Sequence, residues 1–145
     1  MKVLMQRVSE AHVTVAGVTV GGIERGLLLL VGIERHDDEA LIVRMAQRVV
    51  NYRVFPDAQG RMNLDIYQVA GEILMVSQFT LAADNSKGRR PGFSNAATPE
   101  QGLWGCQRFE EALRELSVPV QTGQFGADMQ VHLINDGPVT FFLEL

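Results

Sequence analysis

The hydrophobic pattern divides the chain into short apolar runs separated by turn residues. Residues 3–8 and 12–20 read as strands, the second carrying Val13, Val15 and Val18 among polar neighbours. Gly21-Gly22 marks a turn. Residues 27–31 are apolar without exception between Gly26 and Gly32, the pattern of a strand buried on both faces. The period then changes. Leu41, Ile42, Met45, Ala46, Val49 and Val50 recur at helical spacing behind Asp37-Asp38-Glu39, whose negative charges suit a helix N-terminus. After Pro56 and Gly60 comes another strand over 72–81, then a loop over 83–97 rich in Asn, Ser, Gly and Arg. Thr98 as cap, Pro99 at the first position and Gln101 in a capping box start a second helix. Leu103, Cys106, Phe109, Leu113 and Leu116 form its core stripe, and it stops before Pro119. Strands over 129–134 and 139–143 follow, joined by Asn135-Asp136-Gly137-Pro138, which reads as a hairpin turn.

Strand runs outnumber helices, and two helices suffice to cover one sheet face, so an α/β fold is expected. No linker, repeat or low-complexity tract interrupts residues 1–145, and one domain is the economical reading. The length is enough to bury about two-thirds of the unfolded surface. Composition changes little in this picture. With 46% hydrophobic and 21% charged residues the chain is an ordinary globular one, which excludes disorder, collagen and a disulfide scaffold. The start, with Lys2 and Arg7 and no continuous apolar segment, does not read as a signal peptide. The 27–31 run is far short of the roughly 20 residues that span a bilayer. The cytoplasm is the expected location, with no membrane partner.

Charge is more informative. Thirteen Lys+Arg against 17 Asp+Glu give a net charge of −4, which argues against a polybasic nucleic-acid binder. The acids cluster at 37–39 and 110–115, however. Residues 82–93 hold Lys87, Arg89 and Arg90 against Asp84 alone, a local balance of +2. A Gly-flanked basic loop after a strand suits phosphate contact, although charge alone reads first as a solvated loop.

Candidate chemistry is sparse. His12, His36 and His132 stand in no metal or triad spacing, and ordinary surface or packing roles fit them. Cys106, the single cysteine, sits on an apolar helix stripe and reads as packing before nucleophile. No cofactor or metal is called for. Ser77-Gln78-Phe79-Thr80-Leu81 stands out, because polar side chains interrupt a strand behind Ile73 to Val76. In a regular strand Ser77 and Thr80 point to opposite faces, so one pocket for both needs a bend, a bulge or a site built from backbone. Pattern alone equally fits a strand turning to solvent. The Gly137–Pro138 bond, judged as any X–Pro bond, is expected trans.

Taken together, Ser77-Gln78-Phe79-Thr80-Leu81, Lys87-Gly88-Arg89-Arg90-Pro91 with Phe93, and Asn135-Asp136-Gly137-Pro138-Val139-Thr140 resemble the D-aminoacyl-tRNA deacylase family. The resemblance runs along essentially the whole chain, through Gln6-Arg7-Val8, Val31-Gly32-Ile33, Met62-Asn63, Thr122-Gly123, Phe125-Gly126-Ala127 and Met129. Arg61 and Trp104 replace the family's common Lys and Tyr, changes that preserve character. The resemblance implies an enzyme hydrolysing the ester between a D-amino acid, or mischarged glycine, and the 3′ end of tRNA. It implies a homodimer of three-layer β/β/α, barrel-like fold with the active site at the interface. Ser77, Gln78, Phe79 and Thr80 would be catalytic. Gly137, Pro138 and Met129 would bind substrate and reject L-amino acids, through a cis Gly137–Pro138 peptide reaching the neighbouring pocket. Lys87, Arg89 and Arg90 would contact tRNA, with no DNA partner.

A rigid proline placed where an L-side chain must go rejects one enantiomer by overlap, and the carbonyls of Gly137 and Pro138 can accept from the substrate ammonium. Thr80 is the nucleophile candidate by position but has no base beside it in sequence. The favoured alternative is assistance by the tRNA 2′-hydroxyl, with backbone N–H groups near Phe79 and Thr80 holding the oxyanion. A non-catalytic RNA-binding module and a small-molecule esterase remain as other readings.

Overall fold

The computed structural model describes residues 1–86 and 88–145. β1 (Lys2–Val15) runs where two separate strands were expected. The polar gap at Ser9-Glu10 is an irregularity inside one strand: β1 gains a residue against its neighbour between Val8 and Glu10. The turn that ends β1 also lies elsewhere. Ala16 and Gly17 both take positive φ (48° and 79°), and the chain reverses there into β2 (Val18–Ile23). Gly21 and Gly22 are therefore strand residues, and close approach explains them. A Cβ on Gly21 would overlap the Thr122 carbonyl, and one on Gly22 would lie 3.3 Å from His12 Cβ.

β1 pairs antiparallel with β3 (Gly26–Gly32) through its first half and with β2 through its second. α1 (Glu39–Val50) then crosses over to β6 (Glu72–Ser77), parallel to β3, and α2 (Pro99–Glu115) to β7 (Val120–Thr122), parallel to β6. Between α1 and β6 a small ribbon, β4 (Phe55–Pro56) and β5 (Met62–Leu64), occupies the stretch punctuated by Pro56 and Gly60. β8 (Gln130–Glu144) covers the other edge of β1 along its length.

The period-two pattern explains the layering. Leu27, Leu29, Val31, Ile73 and Met75 pack with Ile42, Met45, Val49, Phe109 and Leu113 of the helices. Leu28, Leu74 and Val76, on the opposite face, pack with Ala11, Val13, Val131 and Leu133 of β1 and β8. The mixed sheet thus curls back over itself and brings β7 against Gly21 of β2, nearly closing a barrel, with the two helices as a third layer. This is the single-domain α/β arrangement expected.

Both helices begin as the sequence indicates. The Asp38 side chain accepts from the Leu41 N–H (2.8 Å), and Thr98 and Gln101 form the capping box behind Pro99. Asp37 turns inward and, with Glu34, holds the Met1 ammonium (2.6 and 3.0 Å). On α2 the expected core stripe is rotated at its start. Leu103 is exposed, and Gly102, Gly105 and Cys106 occupy the inner face. Small residues win there because a Cβ on Gly105 would come within 2.9 Å of Ile33. The helix packs closer to the sheet than a leucine side chain permits.

Candidate active site

β6 does not continue to Leu81. It stops at Ser77; the Gln78 N–H bonds to the Val31 carbonyl (2.7 Å), and residues Phe79–Ala82 wind into a 3₁₀ turn closed from Leu81 to Gln78 (3.1 Å). Gly32 permits the break, since a Cβ there would lie 2.9 Å from Leu81 Cβ and 3.2 Å from the Gln78 oxygen. The bend that the two faces of Ser77 and Thr80 called for is thus a full change of secondary structure.

A cavity of about 500 Å³ opens beside the break. Ser77, Gln78 and Phe79 form one wall, the first turns of α2 from Thr98 to Cys106 another, and the segment from Phe125 to Met129 a third. Gly102 in its lining and Gly123 behind Met129 have steric reasons. Phe125 lies over Gly102, where a Cβ would meet the ring at 3.4 Å, and Gly123 leaves room for the Met129 sulfur, which a Cβ would approach to 2.7 Å. The Met129 sulfur also accepts from the Gln124 N–H (3.3 Å). Cys106 reaches the same cavity, but burial pushes its thiol up to about 12, so it is protonated and inert.

Thr80 is exposed and does not line this cavity. Its hydroxyl accepts from the Gln78 amide, and among the described residues no imidazole or carboxylate is hydrogen-bonded to it. The N–H groups of Phe79 and Thr80 find no backbone acceptor outside the turn among the described residues. The three histidines lie apart from the cavity lining; His12 and His132 stack on each other across β1 and β8, 4.4 Å between centroids. Among the described residues no group of three His, Cys, Asp or Glu side chains is disposed to hold a metal.

Gly137 and Pro138 are not in this chain's cavity. The hairpin expected at residues 135–138 does not exist, because both flanking segments pair with the same strand, β1, in one direction. Between Gln6 and Val8 of β1, β8 runs from Thr140 back to Asn135, so three extra residues leave the ladder as a projecting excursion. The Gly137–Pro138 peptide is cis, as the family resemblance implies and against the expectation for an isolated X–Pro pair.

A residue the sequence did not single out as functional holds this excursion. Arg7, nearly buried, donates from Nε to the Asp136 carbonyl (3.1 Å) and from an Nη to the Val54 carbonyl (2.6 Å), with the Asp136 carboxylate 3.2 Å away. Asn135 donates to the carbonyls of Arg7 (2.8 Å) and Val139 (3.0 Å). A signal for Arg7 was present: an arginine occupies the next inward position after Val3 and Met5. A buried charge in that register has a partner to serve.

Arg89 and Arg90 are exposed on a loop clasped by reciprocal bonds between Asp84 and Gly92 (2.7 and 3.0 Å). Hydrogen bonds from Ser86 hold the Asp84 carboxyl below its ordinary value. Lys87 lies outside the described residues. The strand-end motif and Met129 therefore come together in the cavity lining, which includes neither Arg89 and Arg90 nor Gly137 and Pro138.

Solved structures share the whole architecture. One titled "c-Myc DNA Unwinding Element Binding Protein" superposes with a TM-score of 0.95 at 41% identity, covering 100% of this chain and 99% of the other. Another, titled as a probable eukaryotic D-amino acid tRNA deacylase, gives 0.83 at 17% identity over 99% and 98%, a likeness of fold alone. The class is thus a single-domain α/β protein with a cavity at the end of β6. The family model described as D-Tyr-tRNA(Tyr) deacylase matches residues 4–144, and the chain belongs to that family. It is 57% identical over all 145 residues, full length in both, to the D-aminoacyl-tRNA deacylase of Alcanivorax borkumensis. It is 58% identical to that of Alteromonas mediterranea over 138 residues, 95% of each chain.

Proposed function

We propose that this chain is a cytoplasmic, homodimeric deacylase that hydrolyses the ester joining a D-amino acid, or wrongly attached glycine, to the 3′ end of tRNA. Family membership supports the reaction class. The observation that carries the assembly is the separation of two parts. The cavity walled by Ser77, Gln78 and Phe79 does not include Gly137 or Pro138 in its lining, and those two residues project from β8 as an excursion out of the ladder. A second copy related by a two-fold axis supplies each with the other. β8 offers the surface for it, a 15-residue strand that among the described residues pairs on one edge only, with Phe142 and Ile134 more than half exposed.

In this reading water attacks the ester carbonyl carbon, and the carbonyl oxygen takes up negative charge facing the N–H groups of Phe79 and Thr80. The C–O bond to the ribose then breaks, its electron pair going to the 3′-oxygen. The tRNA 2′-hydroxyl passes a proton from the attacking water to that oxygen. Preorganised oxyanion donors of this kind contribute about 10²–10³ in rate. Thr80 acts through its backbone, since Gln78 engages its hydroxyl. Pro138 of the second copy occupies the space an L-side chain needs, and glycine, having none, is accepted. Arg89 and Arg90, with Lys87, contact tRNA phosphates.

The test is hydrolysis of D-tyrosyl-tRNA and L-tyrosyl-tRNA by the purified protein. Turnover of the D-form alone is expected. Binding without turnover would leave an RNA-binding module, and equal rates on D-tyrosine methyl ester would leave a small-molecule esterase.

A further inference from the structure

The cavity uses Phe79 but does not account for the exposed ring beside it. Phe79 is 63% exposed, and Phe93, outside the cavity lining, lies against it with ring centroids 5.3 Å apart and a 43° tilt. Two adjoining aromatic rings left open to water are a costly surface feature, unlike a scattered apolar residue. Their placement is enforced. The Asp84–Gly92 clasp fixes the chain immediately before Phe93. The Arg35 N–H to Asn95 oxygen bond (2.9 Å) and the Ala97 N–H to Ile33 oxygen bond (3.1 Å) fix it immediately after. The same loop carries Arg89 and Arg90, exposed, and neither pairs with a carboxylate among the described residues.

Aromatic faces beside free guanidinium groups are the means by which proteins hold unpaired nucleotides: bases stack on the rings and phosphates meet the cations. We propose that Phe93, backed by Phe79, is a stacking platform for the unpaired base immediately 5′ of the terminal nucleotide of tRNA, with Arg89 and Arg90 on the adjoining phosphates. This rests on the deacylase reading and extends it. The terminal nucleoside and its amino acid enter the cavity, and the platform grips the strand outside it. Such a grip distinguishes a tRNA end from a free aminoacyl nucleoside without reading the amino acid.

The experiment compares wild type, Phe93→Leu and Phe93→Tyr on three substrates: D-tyrosyl-tRNA, the D-tyrosyl ester of the CCA trinucleotide, and that of adenosine. Phe93→Leu is expected to lower kcat/KM on the order of 10-fold on the first two, the size of one base–aromatic stack. It should leave the adenosine ester unchanged, and Phe93→Tyr should match wild type throughout. Equal losses on all three substrates, or none on any, would overturn the proposal. So would a changed sedimentation coefficient for Phe93→Leu, which would make the platform an interface between copies. A second readout separates this idea from the reading beneath it. Wild type should quench 2-aminopurine placed at the penultimate position of a tRNA whose D-tyrosine is amide-linked and uncleavable, and Phe93→Leu should not. Quenching that depends on Phe93 without turnover would remove the deacylase and keep the platform; turnover with quenching indifferent to Phe93 would do the reverse.

Discussion

The cavity and the Gly137–Pro138 excursion are built by opposite means. The cavity is a space left between three elements, shaped by what glycines at 32, 102 and 123 allow to approach, and its Ser77–Phe79 wall sits where the chain changes from strand to 3₁₀ turn. The excursion is a projection, three residues longer than its partner strand needs, tied from behind by Arg7 and Asn135. One part is concave and lined by backbone and soft side chains; the other is convex and braced by a buried cation. The difference teaches why, in the proposed reading, stereochemical rejection falls to the braced projection: an obstacle that yields rejects nothing.

The largest effect should come from the convex part. Gly137 has φ +135°, and an added Cβ would meet Val139 Cγ2 at 2.6 Å and an Arg7 Nη at 3.1 Å. Gly137→Ala should lower D-tyrosyl-tRNA turnover or enantiomer preference at least about 100-fold, with a stability loss of only about 1–3 kcal/mol from backbone strain. A variant that discriminates as well as the parent would break the comparison. Next comes Arg7→Met, which leaves the carbonyls of Val54 and Asp136 without their donor at about 1–3 kcal/mol each. Chemical denaturation should show that loss. Arg7→Lys, with a point charge in place of the fork, should keep more stability than activity.

The turn at the edge of the concave part should tolerate more. Thr80→Ala removes a hydroxyl engaged by Gln78 and no backbone group, so kcat should fall no more than roughly 10-fold. Abolished activity with the fold and tRNA binding intact would show that the hydroxyl itself does chemistry. The smallest effect lies in neither part. Burial alone would raise the Glu34 carboxyl, but the hydrogen bond and charge of the Met1 ammonium, and then Lys2, hold it below 4.5. Its folded value is the lower one, so this contribution is complete above pH 4.5 and drains away as the pH falls through the depressed value. Glu34→Gln should flatten that acid limb in a pH series of thermal unfolding without touching discrimination.

Much of the fold was legible in local chemistry. The caps at Asp38 and Thr98, the uninterrupted apolar run of β3 and the α1 stripe each depend on neighbours in sequence, and each was met as read. The failures share a cause. Asn135-Asp136-Gly137-Pro138 has the composition of a hairpin turn, yet it is an excursion within one strand, because only the pairing partner decides whether a chain reverses. Gly21-Gly22 likewise read as a turn, while the turn belongs to Ala16-Gly17, and the glycines answer to β7 and His12 across the sheet. Leu103 was placed inside by its apolarity and sits outside because Gly105 brings the helix too near Ile33 for bulk.

The candidate site divides along the same line. Residue identities and motif order sufficed to assign the family, and through it to propose Ser77, Gln78, Phe79, Thr80, Met129, Gly137 and Pro138 as candidates, because those depend on the string of letters alone. Tertiary structure alone decided that Ser77 to Phe79 share a cavity with Met129, that Thr80 turns away to Gln78, and that Gly137 and Pro138 stand elsewhere, held by Arg7. Sheet register and close approach are contacts between residues far apart in sequence, and no local pattern carries them.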